Sequence, residues 1–139
     1  MQKVKKLMSC DVQVTSPDKT IQEAAQQMQK GDFGMLPVEA HGRLVGAISD
    51  RDIVVRAVAE GREPDTEVRE IMSKGVVSAF EDDSVVKVAK IMSDNQIRRL
   101  PILNANKHLV GIVPLGDLAI ANGEISVASS ALSEISKPA

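Results

Sequence analysis

The sequence has no tryptophan and no tyrosine, and Phe33 and Phe80 are its only aromatic residues. A nucleic-acid surface built on base stacking is thereby excluded, and any flat ligand must lie between aliphatic side chains. Val, Ile, Leu, Met and Ala are left to build the core. Cys10 is the only cysteine, so no disulfide can form within the chain. An excess of one charge is also missing: 17 Lys and Arg face 19 Asp and Glu, a net charge of −2. Without clustered cations there is no phosphate-tracking face, and Lys3, Lys5 and Lys6 read as a solvated surface. No apolar run approaches the length of a membrane span, and no signal-type hydrophobic stretch follows the basic start. The expectation is a soluble, cytoplasmic protein with neither a nucleic-acid nor a membrane partner. At 139 residues the chain is long enough for one ordinary compact domain.

What the sequence does contain is a duplication. Val4, Met8, Ser9 and Val12 reappear as Val68, Met72, Ser73 and Val76, a shift of 64 (68 − 4). The same shift carries Asp18 to Asp82, Ala25 to Ala89, Met28 to Met92 and Leu36-Pro37 to Leu100-Pro101. One extra residue then enters, and a shift of 65 (111 − 46) carries Leu44-Val45-Gly46 to Leu109-Val110-Gly111 and Asp52 to Asp117. A single length change inside a polar turn is what two copies of one folded unit tolerate.

Each copy predicts the order β-α-β-β-α. A short apolar run, Val12–Val14 or Val76–Val77, opens the unit as a strand. A helix comes second, with Ile21, Ala24, Ala25 and Met28 on one face, matched by Val85, Val88, Ala89 and Met92. Thr20 and Glu23 have the spacing of a capping box, and Gly31 that of a stop. Two strands come next, Met35–Val38 and Leu44–Ile48, matched by Leu100–Leu103 and Leu109–Val113. A second helix runs from Asp50 to Glu60, and its partner begins near Leu115. One unit alone leaves an apolar sheet face uncovered. An α/β fold of two units packed as an intramolecular pseudo-twofold pair is therefore expected, with motif 1 at 1–60, motif 2 at 61–123 and a Ser/Ala-rich tail at 124–139. Ile125, Ala128, Leu132 and Ile135 give that tail a weak apolar stripe.

Leu7-Met8-Ser9, Leu36-Pro37-Val38 and Leu44-Val45-Gly46-Ala47-Ile48-Ser49-x-x-Asp52-Ile53 together resemble a cystathionine-β-synthase (CBS) motif. So do Ile71-Met72-Ser73, Arg98-Arg99-Leu100-Pro101-Ile102 and Leu109-Val110-Gly111-Ile112-Val113-x-x-x-Asp117-Leu118. The whole is similar to the stand-alone bacterial CBS pairs, or Bateman modules, including those described as hypoxic-response proteins. The resemblance implies a non-catalytic regulatory module that binds AMP, ADP or ATP in a cleft between the motifs. It also implies a homodimer, energy sensing and an unidentified regulated protein, with no cofactor required. S-adenosylmethionine is an alternative ligand, and a ligand-free scaffold an alternative role.

The segment from Gly46 to Asp52 passes from a strand into a helix start, where free N–H groups offer an anion seat and the Ser49 hydroxyl adds a phosphate contact. By the resemblance, Asp52 and Asp117 accept the ribose hydroxyls. Ser49-x-x-Asp52 also fits a capping box that any helix can use for its own stability. The second copy has Pro114 in place of that serine yet keeps Asp117, which favours the ribose role. Arg98 and Arg99, where the first copy has Gly34 and Met35, read either as a surface pair or, by the resemblance, as phosphate ligands. The combination Asp52, Ser49, Arg98 and Arg99 would be complete, and that of Asp117, Pro114, Gly34 and Met35 deficient, so unequal sites are expected. Cys10, Asp11 and Val12 are the candidate adenine pocket. His41 and His108 lack metal-ligand neighbours, so no metal is expected, and no nucleophile–base pair or phosphate-binding glycine loop points to an enzyme.

Overall fold

Two β-hairpins, related by the duplication, organise the computed structural model of this chain, which describes residues 2–119. The first helix, α1, spans Ile21–Gly31. Its capping box is formed: the Glu23 N–H donates to Thr20 Oγ1 at 3.1 Å and the Thr20 N–H to Glu23 Oε1 at 3.2 Å. Ile21, Ala24 and Met28 form its buried face. Gly31 was expected to stop the helix, but it is the last helical residue. The left-handed turn falls on Asp32 (φ 57°), whose short polar side chain tolerates that conformation.

Strands β1 (Met35–Ala40) and β2 (Arg43–Ser49) pair antiparallel. His41 (φ 55°) and Gly42 (φ 79°) close the hairpin in two residues, the geometry that matches strand twist. A short helix α2 (Asp50–Asp52) then widens into a π-helical stretch, Ile53–Val58. The single helix expected over 50–60 is thus split. Ala59 N–H reaches back five residues to Val54 O, and Arg62 N–H to Ala57 O, each at 2.9 Å. Of the stretch only Ala57 is fully buried, and Ile53 packs against the core from its edge. Helix α3 is Val68–Ile71.

The second copy runs through β3 (Ala79–Phe80), α4 (Val85–Asn95), β4 (Arg99–Leu103), β5 (Leu109–Pro114) and α5 (Leu115–Ala119). Ser84 caps α4, and Val85, Val88, Ala89 and Met92 are its buried face. The extra residue sits in the β4–β5 turn, where the Asn104 side chain accepts from the N–H groups of Asn106 and His108 at 3.0 Å each. The opening strand of each copy lies later than its valines indicated. Ala79–Phe80 pairs parallel with β4, and Thr15 makes the equivalent single bridge to Val38. Val12, Val14 and Val77 are only half-buried.

The compact units do not follow the repeat boundaries. One unit is Gln13–Val76; the other joins the residues up to Val12 to those from Val77 onward. In the first unit, Ile21, Ala24, Met28, Leu36, Val38, Ile48 and Ala57 close a core with Val68 and Ile71 from beyond the repeat. In the second, Val4 from the chain start joins Val85, Val88, Met92, Leu100, Ile102 and Leu118. The segments beginning each repeat have therefore changed places. Ser73 and Ala47 exchange N–H···O bonds of 2.8 and 3.0 Å in one unit, and Ser9 and Ile112 bonds of 2.9 and 3.0 Å in the other.

Glycine is required where those segments cross. A Cβ at Gly46 would lie 2.8 Å from both Met72 Sδ and the Ser73 carbonyl. At Gly111 it would lie 2.6 Å from Met8 Sδ and 3.0 Å from the Ser9 carbonyl. Gly-Met-Ser is thus a contact repeated in both units. The tail at 124–139 lies outside the described residues.

Candidate functional site

In the Gln13–Val76 unit, β1 and β2 end together: Met35 is in register with Ser49, and the Asp50 N–H donates to the Gly34 carbonyl at 2.9 Å. The strand therefore delivers Ser49 to a fixed turn. There the Ser49 N–H donates to Asp52 Oδ2 at 3.0 Å, and the Asp52 N–H to Ser49 Oγ, also at 3.0 Å. The capping box is real, and it fixes the carboxylate. Asp52 stays half-buried, and its Oδ1 accepts no hydrogen bond among the described residues. An oriented carboxylate with one open oxygen suits a neutral donor such as a hydroxyl.

The backbone N–H groups expected to seat an anion at this turn are all engaged within the protein. The Asp50 N–H is taken by Gly34, the Arg51 N–H by Asp50 Oδ1 at 2.8 Å, and the Asp52 N–H by Ser49. The donors a phosphate would use are already satisfied, and the Asp50 carboxylate beside them would repel it. A Cβ on Gly34 would lie 2.8 Å from Asp50 Oδ2, so the glycine is what admits that carboxylate. An open recess of about 540 Å³ lies beyond, between α1 and the π-helical stretch, with Met28, Phe33, Ile53 and Val54 as apolar lining. Asp32 and Asp50 also line it, which makes it a poor phosphate seat.

The other unit repeats the backbone and changes the chemistry. Arg99 is in register with Pro114, and the Leu115 N–H donates to the Arg98 carbonyl at 2.7 Å. Pro114 has neither a hydroxyl nor an N–H, so the reciprocal box cannot form there. Asp117 is placed in α5, but its side chain lies outside the described residues. Arg98 is exposed and Arg99 half-buried, both at the start of β4 beside that turn. Cys10 and Asp11 are exposed and Val12 half-buried, in irregular chain leading away from the Ser9 bridge.

Other charges are bound up locally. Hydrogen bonds from the Thr20 backbone N–H and hydroxyl hold the Glu23 carboxyl below its usual range. The Ser16 hydroxyl does the same for Asp18, and contact with Lys5 for Asp82. Among the described residues no group of three or more His, Cys, Asp or Glu could hold a metal ion. No helix among them is long and apolar enough to cross a membrane.

Sequence reasoning missed Arg56, whose Nη1 donates to the Ile71 carbonyl at 2.9 Å. A signal was present: at the shift of 65 its counterpart is Ala121, so the copies differ there. Val54, Val55 and Val58 on the same stretch are 58, 49 and 66% exposed, an apolar surface the helical pattern did not flag.

The CBS domain model matches residues 4–58 and 68–123. The CBS domain-containing protein YhcV of Bacillus subtilis is 45% identical over 98% of this chain and 96% of its own length. Among solved structures, Hypoxic Response Protein I with two coordinated zinc ions aligns at a TM-score of 0.77 and 31% identity, covering 85% of this chain and 97% of that one. The CBS domain pair of protein MJ0100, in complex with 5-methylthioadenosine and S-adenosyl-L-methionine, aligns at 0.71 and 33%, covering 86% and 94%. CBS domain protein PAE2072 from Pyrobaculum aerophilum, complexed with AMP, aligns at 0.76 and 25%, covering 93% and 99%.

Proposed function

We propose, from the premise that this chain belongs to the CBS domain family, that it is a non-catalytic regulatory module whose ligand is an adenine nucleotide. The observation that carries this reading is the Asp52 carboxylate, fixed by Ser49 with Oδ1 open. A ribose diol supplies the donors such an oxygen takes. Ligands held by similar pairs support the class, since AMP and S-adenosylmethionine share the ribosyl adenine and differ only in the group that the ribose carries. Asp117 takes the ribose role in the second copy, where no capping box orients it. The 49–52 backbone N–H groups are already engaged, so the phosphate role is assigned to side chains: the Ser49 hydroxyl in one unit, and Arg98 and Arg99 in the other. Cys10, Asp11 and Val12 border the adenine. The two copies are unequal, and one nucleotide per chain is bound well. The complex acts on a partner protein inside the cytoplasm.

A homodimer belongs to the same proposal, and the exposed Val54, Val55 and Val58 favour it. Were assembly the whole function, Asp52 would be dispensable. The deciding experiment is calorimetric titration of AMP, ADP, ATP and S-adenosylmethionine into the wild type and Asp52→Ala, with light scattering on both. Loss of a charge-assisted bond worth about 1.5–3 kcal/mol weakens binding about ten- to 150-fold while the mass stays constant. Saturable binding unchanged by Asp52→Ala would refute the ribose role. No heat from nucleotide-free protein with any of the four, at dimer mass, would leave the scaffold.

A further inference from the structure

Arg56 is the only charged residue of the Ile53–Val58 stretch. Its Nη1 donates to the Ile71 carbonyl at 2.9 Å and lies 3.4 Å from both the Met72 carbonyl and the Ser73 hydroxyl. Ile71 ends α3, so its carbonyl is one that a helix terminus leaves without an intrahelical donor. A planar guanidinium serves several such acceptors at once, where an ammonium is a single point. The same segment is gripped a second time by β2, through the paired bonds of Ser73 with Ala47 and the close approach to Gly46. Both grips lead to one place. Ala47 lies two residues before Ser49 on β2, and Arg56 lies four residues after Asp52 on the helical continuation. A shift of the Ser49–Asp52 turn must therefore reach 71–73 along the strand and along the helix.

We propose that Arg56 is a positioning residue that couples the Ser49–Asp52 turn to Ile71–Ser73, the segment by which the chain leaves this unit. Occupation of the turn is read out as tightening of that segment. The inference rests on the nucleotide reading above, and it adds where the signal goes. It is one-sided. The equivalent segment of the other unit, Leu7–Ser9, keeps the strand grip through Ile112, but at the position equivalent to Arg56 the chain has Ala121, which has no side-chain donor.

Hydrogen exchange of the full chain, with and without saturating AMP, tests this in the wild type, Arg56→Lys and Arg56→Met, beside calorimetry on each. In the wild type AMP slows exchange of the Met72 and Ser73 amides about fivefold and leaves Ser9 within about twofold. Arg56→Lys keeps part of that response and Arg56→Met abolishes it, with AMP affinity held within about threefold of wild type. An undiminished response in Arg56→Met, or an equal response at Ser9, overturns the coupling. If Arg56→Met does not fold, Arg56→Lys must still show a reduced response, and a full one overturns the proposal. Calorimetric binding with Met72 and Ser73 unresponsive defeats the coupling alone. Where AMP does not bind and ADP or ATP does, the same exchange is read with that nucleotide; no calorimetric binding of any of the three defeats the nucleotide reading and the coupling with it.

Discussion

Val4→Ala tests the exchange of segments, because repeat membership and core membership predict opposite outcomes for it. By sequence Val4 opens the first repeat, yet it is wholly buried in the cluster of Val85, Val88, Met92 and Leu100. Its repeat partner Val68 is wholly buried with Ile21, Leu36 and Ile48. Removing two carbons from either site costs about 1.6 kcal/mol in transfer free energy at about 0.8 per carbon. The partly relaxed cavity adds about 1 kcal/mol, for a total near 2.5. At about 1.4 kcal/mol per decade, the opening equilibrium of the affected core rises about 60-fold. Native-state hydrogen exchange resolved by residue reads this directly. Val4→Ala should raise exchange at Leu100, Ile102 and Ile112, with Leu36 and Ile48 much less affected; Val68→Ala should do the reverse. Equal acceleration in both sets, or acceleration confined to Leu36 and Ile48 in Val4→Ala, would refute the assignment of cores.

Ser49→Ala removes the acceptor of the Asp52 N–H and frees the carboxylate to rotate. It should cost about 1 kcal/mol of stability in denaturant titration and weaken AMP binding several-fold without abolishing it. Unchanged stability would mean the box contributes nothing. The Glu23 carboxyl titrates below its ordinary value because its Thr20 hydrogen bonds favour the ionised form. Its contribution is present above the unfolded-state pKa and is lost as pH falls through the lower folded-state value. Thermal melts of Glu23→Gln should differ from wild type near neutrality and converge with it in acid; a difference independent of pH would contradict this.

Most of the architecture was legible in the chain itself, since periodicity and duplication are properties of order. The faces of α1 and α4, the Thr20–Glu23 box and both hairpins come from spacing, because each rests on neighbours within a few residues. The extra residue between the copies was readable as a turn change for the same reason. Sequence likewise identified Ser49–Asp52 as a helix start and Pro114 as unable to cap one, a matter of covalent structure. Tertiary structure decided what no local pattern contains. Val4 and Val68 each complete a core outside their own repeat, because burial depends on what lies across space. The N–H groups of the 49–52 turn are consumed by Gly34, Asp50 and Ser49, so the backbone donors of an anion seat plausible by motif are engaged within the protein. Arg56 acquires its task only when α3 brings the Ile71 carbonyl to it, an acceptor fifteen residues away that the sequence could not place.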